Sequence, residues 1–213
     1  MVDRDERRTQ AAKHLALMRG AFSAETEATV AAATIYEDGE GRELPLPEAA
    51  FESTDTSVTT AFAPEALKDA AGKTAVVDPT AFTRPGGGYE DGAFGPEQVL
   101  CSESNLYPIL CGLKSAYHDG NRGYQRGQLF TDRALYLPAV AFVHDGDIRK
   151  ADVIAIPEPN HARAIENHRS ERECDQCLAE RIETLLHIAA SNGCETLGAA
   201  RSAAGAEGST RSR

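Results

Sequence analysis

The residues best equipped for chemistry lie in one stretch. It reads Thr83-Arg84-Pro85-Gly86-Gly87-Gly88-Tyr89-Glu90-Asp91-Gly92-Ala93-Phe94-Gly95 and runs directly into Pro96-Glu97-Gln98. Three consecutive glycines let a main chain approach a ligand closely and adopt positive φ without a Cβ clash. Pro96 suits the first position of a helix, where its missing N–H has no intrahelical partner anyway. Such a helix start offers unpaired N–H groups and the positive end of a dipole to an anionic sugar phosphate. Glu97 or Gln98 could then hydrogen-bond ribose hydroxyls. Taken alone, a glycine cluster is a weak signal and favours a merely flexible turn.

These residues need elements to hold them. The apolar run Lys73-Thr74-Ala75-Val76-Val77, ending at Asp78-Pro79, predicts a buried strand just before the loop. The helix from Pro96 should bury Val99, Leu100, Leu106 and Tyr107, with Pro108 ending or kinking it. Upstream, Ala11, Leu15 and Met18 predict a helix over 4–19 stopped by Gly20. Thr29 to Tyr36, followed by the turn at 37–41, reads as a strand and hairpin, and Ser57 to Phe62 as a short strand. Pro64 to Ala71 reads as a short helix. Downstream, 134–143 is expected as an edge-like strand because of Pro138, and 151–156 as a further strand. A long helix should begin at Ser170, where Glu173 completes a capping box. Its apolar stripe would be Cys174, Leu178, Ile182, Leu185, Leu186 and Ala189.

Composition narrows the classes. A chain of 213 residues, 41% hydrophobic and 26% charged, suits one substantial core and leaves little room for a second domain. A net charge of −11 disfavours duplex nucleic acid as a partner but leaves room for a small anion held by backbone N–H groups. The charged start and the lack of a long apolar run argue against a leader or membrane span, so a cytoplasmic protein is expected. Five cysteines are then expected as free thiols.

Several blocks in order resemble the microbial-type poly(ADP-ribose) glycohydrolases. They are 75–82, Arg84-Pro85-Gly86-Gly87-Gly88-Tyr89, Gly92-Ala93, Ser104-Asn105-Leu106-Tyr107-Pro108, 130–138, 151–160 and Leu197-Gly198-Ala199. The resemblance implies an α/β, macrodomain-like mixed sheet flanked by helices over residues 1–198. Residues 1–55 would be a helical and hairpin extension of that one domain. It also implies that ADP-ribose, poly(ADP-ribose) or ADP-ribosylated proteins are partners, with no cofactor or metal. Ligand contacts implied are Asp78, Gly86, Gly87, Gly88, Tyr89, Gly92 and Asn160.

The family opens its helix with Gln-Glu-Glu, and its second glutamate protonates the departing ribose oxygen. Here Glu97 falls on the first glutamate and Gln98 on the proton donor. An amide cannot act as a general acid at neutral pH. Hydrolysis of O-glycosidic ADP-ribose linkages therefore requires another carboxylate, with Glu97 nearest. The alternative is a non-catalytic ADP-ribose binder. Asp78 stands where the family commonly has asparagine. After Ala199 the family continues into a further ligand loop and helix, whereas this chain has an Ala/Gly/Ser/Arg tail. An incomplete C-terminal cradle and a disordered 199–213 are expected.

Other constellations are weaker. Cys174-x-x-Cys177 with His161 and His168 has zinc-like residue types, but packing of a capped helix accounts for Cys174. His118-Asp119 and His144-Asp145 read as surface polar pairs in turns. Residues 121–127 read as a solvated loop.

Overall fold

The computed structural model describes residues 2–48, 52–68 and 70–199. Helix α1 (Arg4–Ala21) leads into α2 (Ser23–Ala32), the short strand β1 (Thr34–Tyr36) and the single turn α3 (Glu40–Glu43). After α4 (Ala63–Ala66) come β2 (Thr74–Asp78), α5 (Pro96–Ser102) and α6 (Leu106–Gly112). The second half holds β3 (Ala134–His144), β4 (Asp147–Ala155), α7 (His161–Glu166), α8 (Glu171–Ser191) and β5 (Thr196–Gly198).

The strands form one mixed sheet in the order β1-β3-β4-β2-β5. β2 runs parallel to both β4 and β5, while β3 is antiparallel to β1 and β4. All five residues of β2 are buried, as a strand covered on both faces requires. One face carries Val76, Leu135, Leu137 and Val153 against Leu15, Leu100, Leu106, Ile109 and Leu110. The other carries Ala75, Tyr136 and Ile154 against Ile188 and Ala189 of α8. Fully burying an aliphatic side chain contributes roughly 1.5–3 kcal/mol, so these two layers dominate the fold's stability.

Caps fix the helix starts. The Asp3 side chain accepts from the Glu6 N–H at 2.9 Å, and Ser170 with Glu173 forms the expected capping box. The carboxyl ends of the three parallel strands open on the same edge of the sheet, with Asp78 opposite Ala155 and Val76 opposite Gly198. In open α/β sheets that edge is where ligands are held.

Five local expectations are corrected. Residues 29–32 are helical, because the alanine-rich run 23–33 extends α2 up to β1, and 37–43 form a turn and α3 with no hairpin. Residues 57–62 form no regular element. The predicted helix past Pro96 is two helices, and Pro108 sits in the first turn of α6, where a proline is tolerated. Strand β3 is internal, and Pro138 lies in a bulge between Leu137 and Val140, where Ala139 takes φ +55° and gives its N–H to Asp152 at 2.9 Å. Finally, α8 buries Cys174, Cys177, Arg181, Thr184 and Ile188 and leaves Ile182 and Leu186 exposed. Residues 200–213 of the expected tail lie outside the described residues.

Candidate functional site

The loop leaving β2 folds into a tight 3₁₀ turn over Pro85–Asp91, and four of its glycines are left-handed. Their φ values are +63° at Gly86, +52° at Gly87, +95° at Gly88 and +71° at Gly92. An L-residue in that region costs roughly 1–2 kcal/mol, so the triple glycine is a conformational requirement. It is also a steric one. A Cβ on Gly86 would lie 2.4 Å from the Tyr107 ring, and one on Gly87 would lie 2.6 Å from Glu97 Oε2 and 2.7 Å from Gln98 Nε2. The glycine loop therefore rests directly on the two residues that open α5. That helix has only seven residues, so little of the site's field comes from a helix dipole.

Glu97 is 4% exposed and held from the segment that follows β2. Its Oε1 accepts from the Thr80 hydroxyl at 2.9 Å and its Oε2 from the Ala81 N–H at 3.1 Å. Burial pushes its carboxyl up to about 7, against the pull of the Ala81 N–H, the Thr80 hydroxyl and the Gly86 N–H. Burial thus favours the protonated form of Glu97 far more than in an exposed glutamate. Gln98 plays a different part: its amide donates to the Gly86 carbonyl at 3.0 Å and closes the loop's front end.

Asp78 lies beneath them, wholly buried, with neither carboxyl oxygen hydrogen-bonded. Burial first, and the charge of Glu97 second, raise it well above the usual carboxylate range. Its main chain is well used, accepting from Ile156 N–H at 3.0 Å and Thr80 N–H at 2.8 Å. Asp78 is thus a floor residue rather than part of the exposed surface. The Cys101 thiol is fully buried in the same region, raised first by burial and then by Glu97 and Asp78.

The remaining expected contacts are spread out. The Tyr89 side chain is 5% exposed and packs inward, its hydroxyl 3.0 Å from His14 Nδ1 and its ring 5.3 Å from Tyr107. Gly92 ends the loop against α1, where a Cβ would fall 2.2 Å from the Arg4 carbonyl oxygen. Asn160 is exposed and caps α7, accepting from Arg163 N–H at 3.2 Å. Its own N–H goes to Gln128, and no hydrogen bond ties it to the glycine loop. Cys174 and Cys177 pack with Leu129 and Ala164, and the Cys177 thiol donates to the Leu129 carbonyl at 3.4 Å.

Sequence spacing missed the scaffold behind this site. Asn121, read as part of a solvated loop, is buried and donates to the Phe82 carbonyl at 2.8 Å. Arg133 orients it, giving Nη1 to Asn121 at 2.8 Å while its other nitrogens engage Glu37 at 2.7 and 2.9 Å. His118, read as a surface residue, is fully buried against the same segment. Its ring faces the Ala81 and Phe82 carbonyls without closing a hydrogen bond of normal geometry, and burial lowers it to about 4. These partners lie 12 to 96 residues apart in the chain, beyond any local motif.

A mixed α/β sheet with a left-handed glycine loop at the carboxyl edge of its parallel strands defines a macrodomain-like fold. Residues 8–145 match the family described as microbial-type PARG, catalytic domain, and the chain belongs to that family. Among solved structures it is similar to the poly(ADP-ribose) glycohydrolase of Thermomonospora curvata, at 23% identity and a TM-score of 0.82. That alignment covers 91% of this chain and 78% of the other. The same enzyme bound to the inhibitor ADP-HPD aligns at 24% identity with a TM-score of 0.79 and the same coverage. The Deinococcus radiodurans glycohydrolase in complex with ADP-ribose aligns at 24% identity and a TM-score of 0.69, covering 81% and 73%. At these identities the likeness establishes the fold. No curated protein matches the sequence. Among the described residues no helix is long and apolar enough to cross a membrane.

Proposed function

We propose that the chain holds ADP-ribose at the glycine loop and hydrolyses its O-glycosidic linkage, with Glu97 as the proton donor. The carrying observation is the buried Glu97 carboxyl, pushed up to about 7 and in contact distance of the loop that would wrap the ribose. A general acid works best with a pKa near the operating pH, and its contribution is typically about 10²–10⁴-fold. In the reaction Glu97 gives its proton to the departing ribose oxygen as the glycosidic C–O bond breaks and positive charge develops at the anomeric carbon. Water then adds to that carbon and returns a proton to the Glu97 carboxylate, restoring the acid. The main chain of Gly86, Gly87, Gly88 and Tyr89 would line the sugar, and Gln98 would hold Gly86 in place. Poly(ADP-ribose) and ADP-ribosylated proteins are the substrate class, supported by the family and by relatives whose structures hold ADP-ribose.

A second reading has its own support. Gln98 occupies the acid position of the resembled family, and Glu97 is already bonded to Thr80 and Ala81. A chain so arranged would bind ADP-ribose without releasing it. Release of ADP-ribose from an automodified polymerase separates the two. Hydrolysis by Glu97 predicts release by the unmodified protein and its loss in Glu97→Gln. Tight binding with release appearing only in Gln98→Glu would establish the binder and overturn Glu97 as the acid.

A further inference from the structure

We infer that α1 acts as a brace for the glycine loop, with Arg4, Arg7 and His14 as positioning residues for its ligand-holding conformation. The inference rests on the function proposed above. The loop's front end is closed by Gln98, and among the described residues no side-chain hydrogen bond from α5 reaches the carbonyls of its far end. That end is gripped by α1. Arg4 Nε donates to the Asp91 carbonyl at 2.8 Å and Arg7 Nε to the Gly92 carbonyl at 2.9 Å. The Arg7 guanidinium also lies 5.8 Å from the Phe94 ring centroid.

Two turns beyond Arg7, His14 Nδ1 meets the Tyr89 hydroxyl at 3.0 Å, with the two rings edge to face. Ala11 and Leu15 bury the helix against the same layer as Tyr89 and Leu100. The approach is so close that the main chains of Gly92 and Arg4 nearly touch, and no other residue type fits position 92 without displacing the helix. Arg84 adds a bond across the loop itself, to Asp91 at 2.6 Å.

The physical need is clear. Glycine loses more backbone freedom on ordering than any other residue, so a loop with three in succession is expensive to hold in one shape. If the loop were free, each binding event would bear that ordering cost. A helix docked on the far end removes it beforehand, which is how preorganisation raises affinity. The carbonyl oxygens of Asp91 and Gly92 turn towards α1 and its arginines, leaving the glycine segment to the ligand side.

The test compares the full chain with Arg4→Ala/Arg7→Ala, using Lys13→Ala as an exposed control on the same helix. Two readouts are taken: hydrogen exchange of the amides from Gly86 to Gly92, and the ADP-ribose Kd by calorimetry. The double variant is expected to exchange faster in this segment alone, with a thermal midpoint close to the unmodified protein. Its Kd should rise at least about ten-fold, because two charge-assisted hydrogen bonds are removed and solvent exposure discounts each. Arg7→Lys, which keeps one donor, should recover part of the affinity. Unchanged exchange overturns the brace, and faster exchange with unchanged Kd overturns its role in binding. If the unmodified protein binds no ADP-ribose, the proposed function fails with the ligand role of α1, whatever the exchange result.

Discussion

Replacing Gly87 with alanine tests the contact between the loop and its acid more sharply than any other single change. Two costs add at this position. The first is backbone strain: φ is +52°, and an L-residue there costs roughly 1–2 kcal/mol. The second is steric, because the new methyl would sit 2.6 Å from Glu97 Oε2 and 2.7 Å from Gln98 Nε2. Those side chains must move, and overpacking of this kind typically costs about 1–3 kcal/mol. Glu97 can move only by giving up Thr80 or Ala81, and Gln98 only by releasing Gly86. The sum is about 2–5 kcal/mol, tolerable for a domain of about 5–15 kcal/mol stability.

Gly88→Ala supplies the control. Its φ of +95° lies beyond the left-handed range of about +50° to +70° open to L-residues, so its backbone strain is the larger, yet its added Cβ meets only the Ala93 Cβ at 3.4 Å and Arg84 Nη1 at 3.8 Å. Urea denaturation should therefore show Gly88→Ala destabilised by strain and Gly87→Ala chiefly by its contact with Glu97 and Gln98. ADP-ribose titration should show a larger loss of affinity for Gly87→Ala. Equal affinity in the two variants would refute the claim that Glu97 and Gln98 support the loop from beneath.

Two further predictions concern the buried carboxyls. The folded-state pKa of Glu97, about 7, lies above its ordinary value of 4.5, so its contribution to stability is fully present below pH 4.5 and lost as pH rises through 7. The loss is on the order of 3 kcal/mol, and unfolding curves from pH 4 to 8 should show that slope flattened in Glu97→Gln. Asp78 is raised as well, so its ionisation also opposes folding as pH rises. Asp78→Asn should therefore stabilise the protein, by more at pH 8 than at pH 4, as read by chemical denaturation at the two pH values. A destabilised Asp78→Asn would mean that the carboxyl has a partner holding its charge.

The chain's local signals were legible where the physics is local. The apolar periodicity of α1, the capping box at Ser170 and the run before Asp78 each declare their element, and the triple glycine permits the positive φ that the structure adopts there. What spacing could not reveal is which face a helix turns inward when polar residues are satisfied there. Arg181 is buried because it donates to the Pro157 and Leu129 carbonyls at 2.9 and 3.0 Å, and Thr184 because it donates to Asp132 at 3.0 Å. Their inward turn rotates α8 away from its most apolar stripe and leaves Ile182 and Leu186 outside. Thr29 and Val30 read as β-formers, yet they lie on a helix that packs on β3, where the Thr29 hydroxyl donates to the Pro138 carbonyl at 3.0 Å. The candidate site followed the same rule. Its loop and Glu97 could be named from adjacency, whereas Thr80, His118, Asn121 and Arg133 join it only through tertiary contacts.

A crystal structure of the chain soaked with ADP-ribose tests the central claim most directly. The ribose is expected against the main chain of Gly86 to Gly88, with its anomeric oxygen within hydrogen-bond reach of Glu97. A ligand lodged elsewhere on the molecule, or a glycine loop unchanged and empty at saturating ADP-ribose, would contradict it.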